Sequence, residues 1–260
     1  MGGGNRRRQQ RPGASNSASP ASTRPVAPKS ARRELFESWG GYPVFGTLVI
    51  AVIVVAGLMY ANRAGVTAGS GAFQPIARAQ VSGRIAGNPD APVKIIEFAD
   101  FQCPFCKQFT DSTGKKLLDE FVNKGTVSIQ FVSFAFLGEE SKRAAEAAEC
   151  AADQGRFWDY HDLLYLRQGA ENSGVYSAGN LKKYAAEVKA QFSNFDTAKF
   201  DKCLDSGEKR ATVDQQTKQA RDAGVQSTPS FLINGLALSG VQPIEVFRQS
   251  IEAATTAAKK

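Results

Sequence analysis

Between Glu37 and Arg63 the sequence has no charged residue, an absence that excludes a solvated helix or loop over these positions. The centre reads Val44-Phe45-Gly46-Thr47-Leu48-Val49-Ile50-Ala51-Val52-Ile53-Val54-Val55-Ala56-Gly57-Leu58-Met59. A helix rises ~1.5 Å per residue, so ~20 residues span a ~30 Å hydrocarbon layer, and residues 42–60 are predicted as a transmembrane helix. Trp39, Tyr42 and Tyr60 sit where interfacial aromatics belong. A buried core helix would need an apolar neighbour, and the preceding segment offers none. Residues 1–41 lack most large apolar side chains and most acids: eight Arg and Lys face only Glu34 and Glu37, a local balance of about +6 within a total of +7. That is the composition of a disordered basic tail. Because the positive charge is confined to the tail rather than spread over a folded surface, nucleic-acid binding is not expected. Basic residues before the span and few after it predict a cytoplasmic N-terminus, with everything beyond Tyr60 outside. A cleaved signal peptide ending near Ala77-Arg78-Ala79 is the rival, but its leader would be too long and its apolar core too far from the cut.

Histidine is almost missing as well. The single one, His161, falls in an aromatic segment and reads as a packed or surface residue rather than a catalytic one. No internal repeat is present, which excludes repeat architectures. Residues 61–80 show neither apolar period and read as a linker, so the folded domain is predicted over 81–260. After the turn signal Gly87-Asn88-Pro89-Asp90-Ala91-Pro92, residues 93–98 form a short, β-branched apolar run that suits a buried strand. Pro104 suits a first helical turn, and Phe105, Phe109, Leu117, Leu118, Phe121 and Val122 recur at near-helical spacing up to Gly125. With a second strand at 127–134 this makes a βαβ unit. Residues from 139 to about 223 read as a helical insertion, with Asn180 and Asp196 as candidate N-caps. Asn234-Gly235 is a strong hairpin signal that requires positive φ at both residues, and residues 243–258 close the domain as a helix.

Cys103-Pro104-Phe105-Cys106 puts two thiols one turn apart at the start of a helix, directly after a strand. The first sulfur lies near unpaired N–H groups and the positive end of the helix dipole, worth ~0.3 to 1 kcal/mol at a surface and up to ~2 when partly buried. One pKa unit is ~1.4 kcal/mol, so the dipole alone lowers that thiol by roughly one unit. Cys103 is therefore the candidate nucleophile, and Cys106, a turn deeper, the resolving thiol. Half a zinc site has the same spacing. Its other ligands usually arrive as a second close pair, however, while Cys150 and Cys203 lie far apart on separate predicted helices, so no metal is expected. In an exported domain Cys150 and Cys203 can form a structural disulfide worth roughly 4 kcal/mol; two separately buried cysteines are the alternative.

Ser227-Thr228-Pro229-Ser230 precedes the hairpin. Together with Asp90-Ala91-Pro92, Glu97-Phe98, the Cys103–Cys106 motif, the helical insertion and Phe231-Leu232-Ile233-Asn234-Gly235, it resembles the DsbA-like thiol oxidoreductases, in the membrane-anchored bacterial branch of the thioredoxin superfamily, over about residues 82–255. The resemblance implies an α/β thioredoxin fold, a central mixed sheet flanked by helices, with a helical insertion and one preceding transmembrane helix. It implies that Pro229 is cis and packs beside the cysteines, leaving the Thr228 backbone to pair with an extended substrate. It also makes Glu97 a buried acid that assists proton transfer to the inner cysteine. Pattern alone leaves a trans Pro229 at a strand start and a solvated Glu97. The sequence departs at Phe105, where well-known members carry a thiolate-stabilising histidine; a milder oxidant is expected.

The expected function is that of an extracytoplasmic dithiol oxidase forming disulfides in exported, cysteine-bearing proteins, with no cofactor beyond the redox-active Cys103–Cys106 pair. The resemblance implies a membrane quinone-linked thiol oxidase as reoxidant and a single-pass protein of the cell membrane. With no added dimerisation domain in view, a monomer is expected. Two other readings compete: an isomerase or reductase fed by a membrane electron donor, and a non-catalytic binding or chaperone module, whose activity would survive Cys103→Ser and Cys106→Ser.

Overall fold

The structure, a computed structural model, describes residues 71–258. The expected membrane span at 42–60 and the tail before it lie outside these residues; among the described residues no helix is long and apolar enough to cross a membrane.

Six strands form one sheet in the order β1-β2-β4-β3-β5-β6: β1 Val81–Ser82, β2 Ile85–Ala86, β3 Val93–Ala99, β4 Val127–Ser133, β5 Ser230–Ile233 and β6 Leu236–Ser239. β3 and β4 run parallel, from Val93 opposite Val127 to Ala99 opposite Ser133. β5 pairs antiparallel with β3, and β2 antiparallel with β4. This is the expected mixed sheet. The hairpin between β5 and β6 turns through Asn234 and Gly235, at φ +46° and +88°, and the Asn234 side chain accepts a 2.8 Å bond from the Lys94 N–H, tying the turn to the start of β3.

Helix α1 joins β3 to β4 and is less regular than its sequence pattern. It opens as Pro104–Phe109, widens into a π turn at Thr110–Gly114, tightens over Lys115–Leu117 and widens again at Leu118–Val122. Eight residues separate Phe109 from Leu117, about 2.2 α turns, which alone would swing Leu117 well off the Phe109 face. One extra residue taken up by a π turn brings it back, and both side chains are buried.

The insertion comprises α2 Glu139–Ala152, α3 Phe157–Arg167, α4 Ala178–Gln191, α5 Thr197–Ser206 and α6 Arg210–Asp222, and α7 Ile244–Ala258 closes the domain. Cys150 and Cys203 are disulfide-bonded, with Cα atoms 5.9 Å apart, and clamp α2 to α5. Asp196 caps α5 as expected, accepting from the N–H groups of Ala198 and Lys199. Asn180 does not cap α4. The helix starts two residues earlier behind Ser177, and the Asn180 amide instead donates to the Gly174 carbonyl at 3.0 Å.

The main core joins one face of the sheet to α1, α3 and α7 through Phe101, Phe109, Phe131, Phe231 and Phe247; a smaller cluster of Phe98, Val132, Phe134 and Ala220 fills the other face beneath α6. The stretch expected to be linker contributes too. Phe73 is buried, Ile76 packs on the core, and Arg78 binds Asp162 through two 2.8 Å hydrogen bonds. Residues 71–80 are thus part of the fold. They anchor by isolated side chains, which leave no apolar period to read.

Candidate active site

β3 delivers the chain into a tight turn in which the Cys103 N–H donates to the Asp100 carbonyl at 3.0 Å. Cys103 is the N-cap of α1 at φ −71°, ψ 119°, with Pro104 at the first helical position, where a missing N–H costs nothing. The Cys103 carbonyl accepts from the N–H groups of Cys106 and Lys107 at 3.1 and 3.2 Å and from the Gln168 side chain at 3.0 Å. Cys103 as a whole is only 5% exposed, and its thiol donates to the Thr228 carbonyl at 3.4 Å. The Thr228–Pro229 bond is cis, as the resemblance implies. Cys106, one turn on, is fully buried. Both are free thiols.

The two sulfurs stand in opposite electrostatic situations. A hydrogen bond from the Cys106 thiol, helped against burial by the Thr228 hydroxyl and the N–H groups of Cys106 and Phe105, lowers Cys103 to about 6. The Thr228 hydroxyl has no other partner among the described residues, so it is free to turn toward a thiolate. Burial drives Cys106 well above the usual thiol range, and the hydrogen bond to Cys103 and the Cys103 charge add to it. Phe105 is 60% exposed and offers no imidazole, so the Cys106 thiol, the Thr228 hydroxyl and the helix-end N–H groups carry the stabilisation. Such a pair can hold one sulfur as thiolate and the other as thiol at the same pH, which is the asymmetry that thiol–disulfide exchange uses.

Glu97 lies on β3 between Phe131 of β4 and Phe231 of β5. It is buried, and its Oε1 has no hydrogen-bond partner among the described residues. Burial raises it to about 8, although the charge of Arg78 pulls the other way. The solvated-carboxylate alternative is thereby removed. Cys150 and Cys203 are bonded to one another, so they are not free to complete a four-thiolate set with Cys103 and Cys106.

Several groups that hold this site escaped sequence reasoning. Asp100 accepts four bonds, from the N–H groups of Gln102, Phe136 and Leu137 and from the Ser141 hydroxyl, at 2.6 to 3.1 Å. Burial raises its pKa despite these bonds. Gln102 reaches across to Asn172, accepting from its N–H at 2.6 Å, and Asn172 in turn presses on Gly138, where a Cβ would stand 2.3 Å from its side-chain oxygen. Gln168 and Tyr176 donate to the Phe101 carbonyl. The insertion therefore braces the cysteine turn. Its residues lie tens of positions away in sequence and carry no local signal, and Arg78 looked like an isolated charge in a linker.

A family model described as Thioredoxin matches residues 79–253. The chain is 33% identical to the probable disulfide bond formation protein D of Bacillus anthracis over 151 residues, 57% of this chain and 68% of that protein. It is 29% identical to disulfide bond formation protein D of Bacillus subtilis (strain 168) over 175 residues, 65% of this chain and 75% of that one. Among solved structures it is similar to oxidised BdbD from Bacillus subtilis, with a TM-score of 0.61 and 25% identity, covering 74% of this chain and 98% of that one.

Proposed function

The chain belongs to the thioredoxin family and is a DsbA-like thiol-disulfide oxidoreductase that forms disulfide bonds, and from this premise we propose that it acts outside the cytoplasm as a dithiol oxidase of exported proteins, through Cys103 and Cys106. The observation that carries the reading is the opposed pair of sulfurs, Cys103 lowered to about 6 and Cys106 raised. In the oxidised enzyme, a substrate thiolate attacks Cys103; a substrate–Cys103 bond forms, the Cys103–Cys106 bond breaks, and Cys106 takes the electron pair and a proton. A second substrate thiolate then attacks the substrate sulfur of the mixed disulfide and expels Cys103 as a thiolate. Two electrons have moved from the substrate dithiol to the enzyme. A sulfur that ionises at about 6 is a good leaving group at neutral pH, whereas Cys106 needs a proton as it leaves. Glu97, an acid at about 8, supplies it. The Thr228 backbone and cis-Pro229 receive the extended substrate beside the Pro104-Phe105 turn.

Reduced enzyme must hand its electrons on. In this reading a quinone-linked thiol oxidase of the membrane takes them, and residues 42–60, with the N-terminus in the cytoplasm, keep the two proteins on one surface. The enzyme works as a monomer without a further cofactor, and Cys150–Cys203 is structural. The test is the equilibrium reduction potential of the Cys103–Cys106 pair, titrated in the full-length protein against glutathione. A value some tens of mV above the roughly −270 mV of thioredoxin is expected; one no higher than thioredoxin's would replace the oxidase with a reductase fed by a membrane electron donor.

A further inference from the structure

A cavity of ≈ 50 Å³ lies among β3, α1, α3 and the N-terminal segment, with Glu97, His161, Asp162, Arg78, Trp158 and Lys115 in its walls. Three wall residues have a buried polar atom with no hydrogen-bond partner among the described residues: Glu97 through Oε1, His161 through Nε2 and Trp158 through Nε1. Glu97 and His161 are each 3% exposed and Trp158 is 7% exposed. Unpaired polar atoms cost too much to leave dry, and this space exceeds the ~10–15 Å³ that one water needs.

The Glu97 and His161 atoms match in chemistry, donor to acceptor, and the Trp158 indole N–H is a second donor into the same space. Arg78 grips Asp162 through two 2.8 Å bonds, and Asp162 Oδ1 lies 2.9 Å from His161 Nδ1. Against the upward push of burial, His161 and Arg78 hold Asp162 below its ordinary pKa, so Nδ1 carries the proton that it donates there. Burial lowers His161 itself, and its Nε2 is a bare acceptor. Glu97, still protonated at neutral pH, is a donor. The remaining charge in the wall is Lys115 of α1, whose side chain is half-exposed and ion-paired with Asp111; it marks the side that meets solvent. Ile129, from β4, adds no charge.

We infer that His161, oriented by Asp162 and Arg78, holds a water against Glu97, and that through this water Glu97 regains its proton after each transfer to Cys106. His161 is then a positioning residue rather than packing alone. This rests on Glu97 acting as the acid of the proposed oxidase. In proton balance, Glu97 gives its proton to the departing Cys106 sulfur, and the resulting carboxylate takes a proton from the bound water as that water takes one from solvent, so the water is left neutral.

The experiment uses the full-length protein and its His161→Phe, His161→Gln and Glu97→Gln variants. Infrared spectra at neutral pH read the C=O stretch of the protonated carboxyl, identified by its loss in Glu97→Gln. In His161→Phe that band should move to higher frequency as the carboxyl loses its hydrogen-bonded water. Single-turnover oxidation of a dithiol peptide should slow about tenfold, below the range usually lost with an acid–base group, and its Glu97-dependent inflection should move to higher pH. In His161→Gln, which keeps an acceptor, band and rate should return toward the parent values. An unshifted band in a folded His161→Phe protein, or the same shift in both His161 variants, overturns the inference and leaves the oxidase standing. A parent protein with no such band at neutral pH removes the acid role of Glu97 itself.

Discussion

Replacing Glu97 by Gln tests the electrostatics of the site through stability alone. Burial holds Glu97 at about 8, against 4.5 for a solvated glutamate. Between those values the folded chain keeps a proton that the unfolded chain has already released. A folded pKa raised in this way contributes stability that is fully present below about pH 4.5 and is lost as pH climbs through 8. At ~1.4 kcal/mol per unit, the loss attributable to Glu97 is about 3 kcal/mol at pH 7 and about 5 above pH 8. Glutamine has nearly the same shape and no charge to desolvate. Guanidinium unfolding of both proteins from pH 4.5 to 9, in one redox state, should therefore give a stability difference that grows in favour of Glu97→Gln by ~1.4 kcal/mol per unit and levels off near pH 8. In the reduced protein Cys103 works the other way. Its folded pKa of about 6 lies below the unfolded value, so it contributes stability that is lost as pH falls through 6. Both proteins carry that contribution, and it cancels in the difference. The difference at pH 4.5 isolates whatever the amide costs in packing or unpaired N–H groups. A difference that does not change with pH would refute the reasoning, because it would mean that Glu97 ionises in the fold as easily as out of it.

Two further outcomes follow from the same site and its clamp. The rate of Cys103 alkylation by iodoacetamide should titrate with a midpoint of about 6 while Cys106 stays unreactive at neutral pH; Thr228→Val, which deletes the hydroxyl and keeps the shape, should move the midpoint up, and an unmoved midpoint would show that the hydroxyl does not reach the thiolate. Replacing both Cys150 and Cys203 by Ala opens a bridge that spans 53 residues and should cost about 4 kcal/mol in denaturant unfolding; a loss under about 1 kcal/mol would contradict the clamp.

What was legible in the sequence is what short-range rules govern. β3 and β4 appear within a residue of their expected ends, because a β-branched apolar run between turn residues has few other uses. Asn234-Gly235 turns where it should, because positive φ at two successive residues selects for that pair. Cys103 and Cys106 fall on the helix start that Pro104 announces. The pKa direction at Cys103 was foreseen, but its main cause was not: the dipole argument gave roughly one unit, whereas hydrogen bonds from Cys106 and Thr228, a residue 125 positions away, add the rest. Long-range side-chain contacts left no trace in periodicity. Asp100, Gln102, Ser141, Gln168 and Asn172 form a network across two segments that meet only in the fold. Arg78 sits in a stretch without apolar period and still anchors Asp162.

The direction of electron flow then turns on a small number. A thiolate that forms at about 6 favours the reduced dithiol at pH 7 by only the one unit between them, ~1.4 kcal/mol, which is ~30 mV for a two-electron couple. The gap between a reducing thioredoxin and a strongly oxidising DsbA is roughly 150 mV. In such an oxidant a thiol pKa near ~3.5 is worth about three and a half units at pH 7, or ~100 mV of that gap. Phe105 denies this protein an imidazole beside the sulfur, and the Cys106 thiol, one threonine hydroxyl and the helix-end N–H groups do not replace it. The thiolate therefore makes the pair mildly oxidising and no more. Forming disulfides at a useful rate with so small a bias requires that reduced enzyme be removed as fast as it appears, so the reoxidising partner, rather than the chemistry of Cys103, sets the direction.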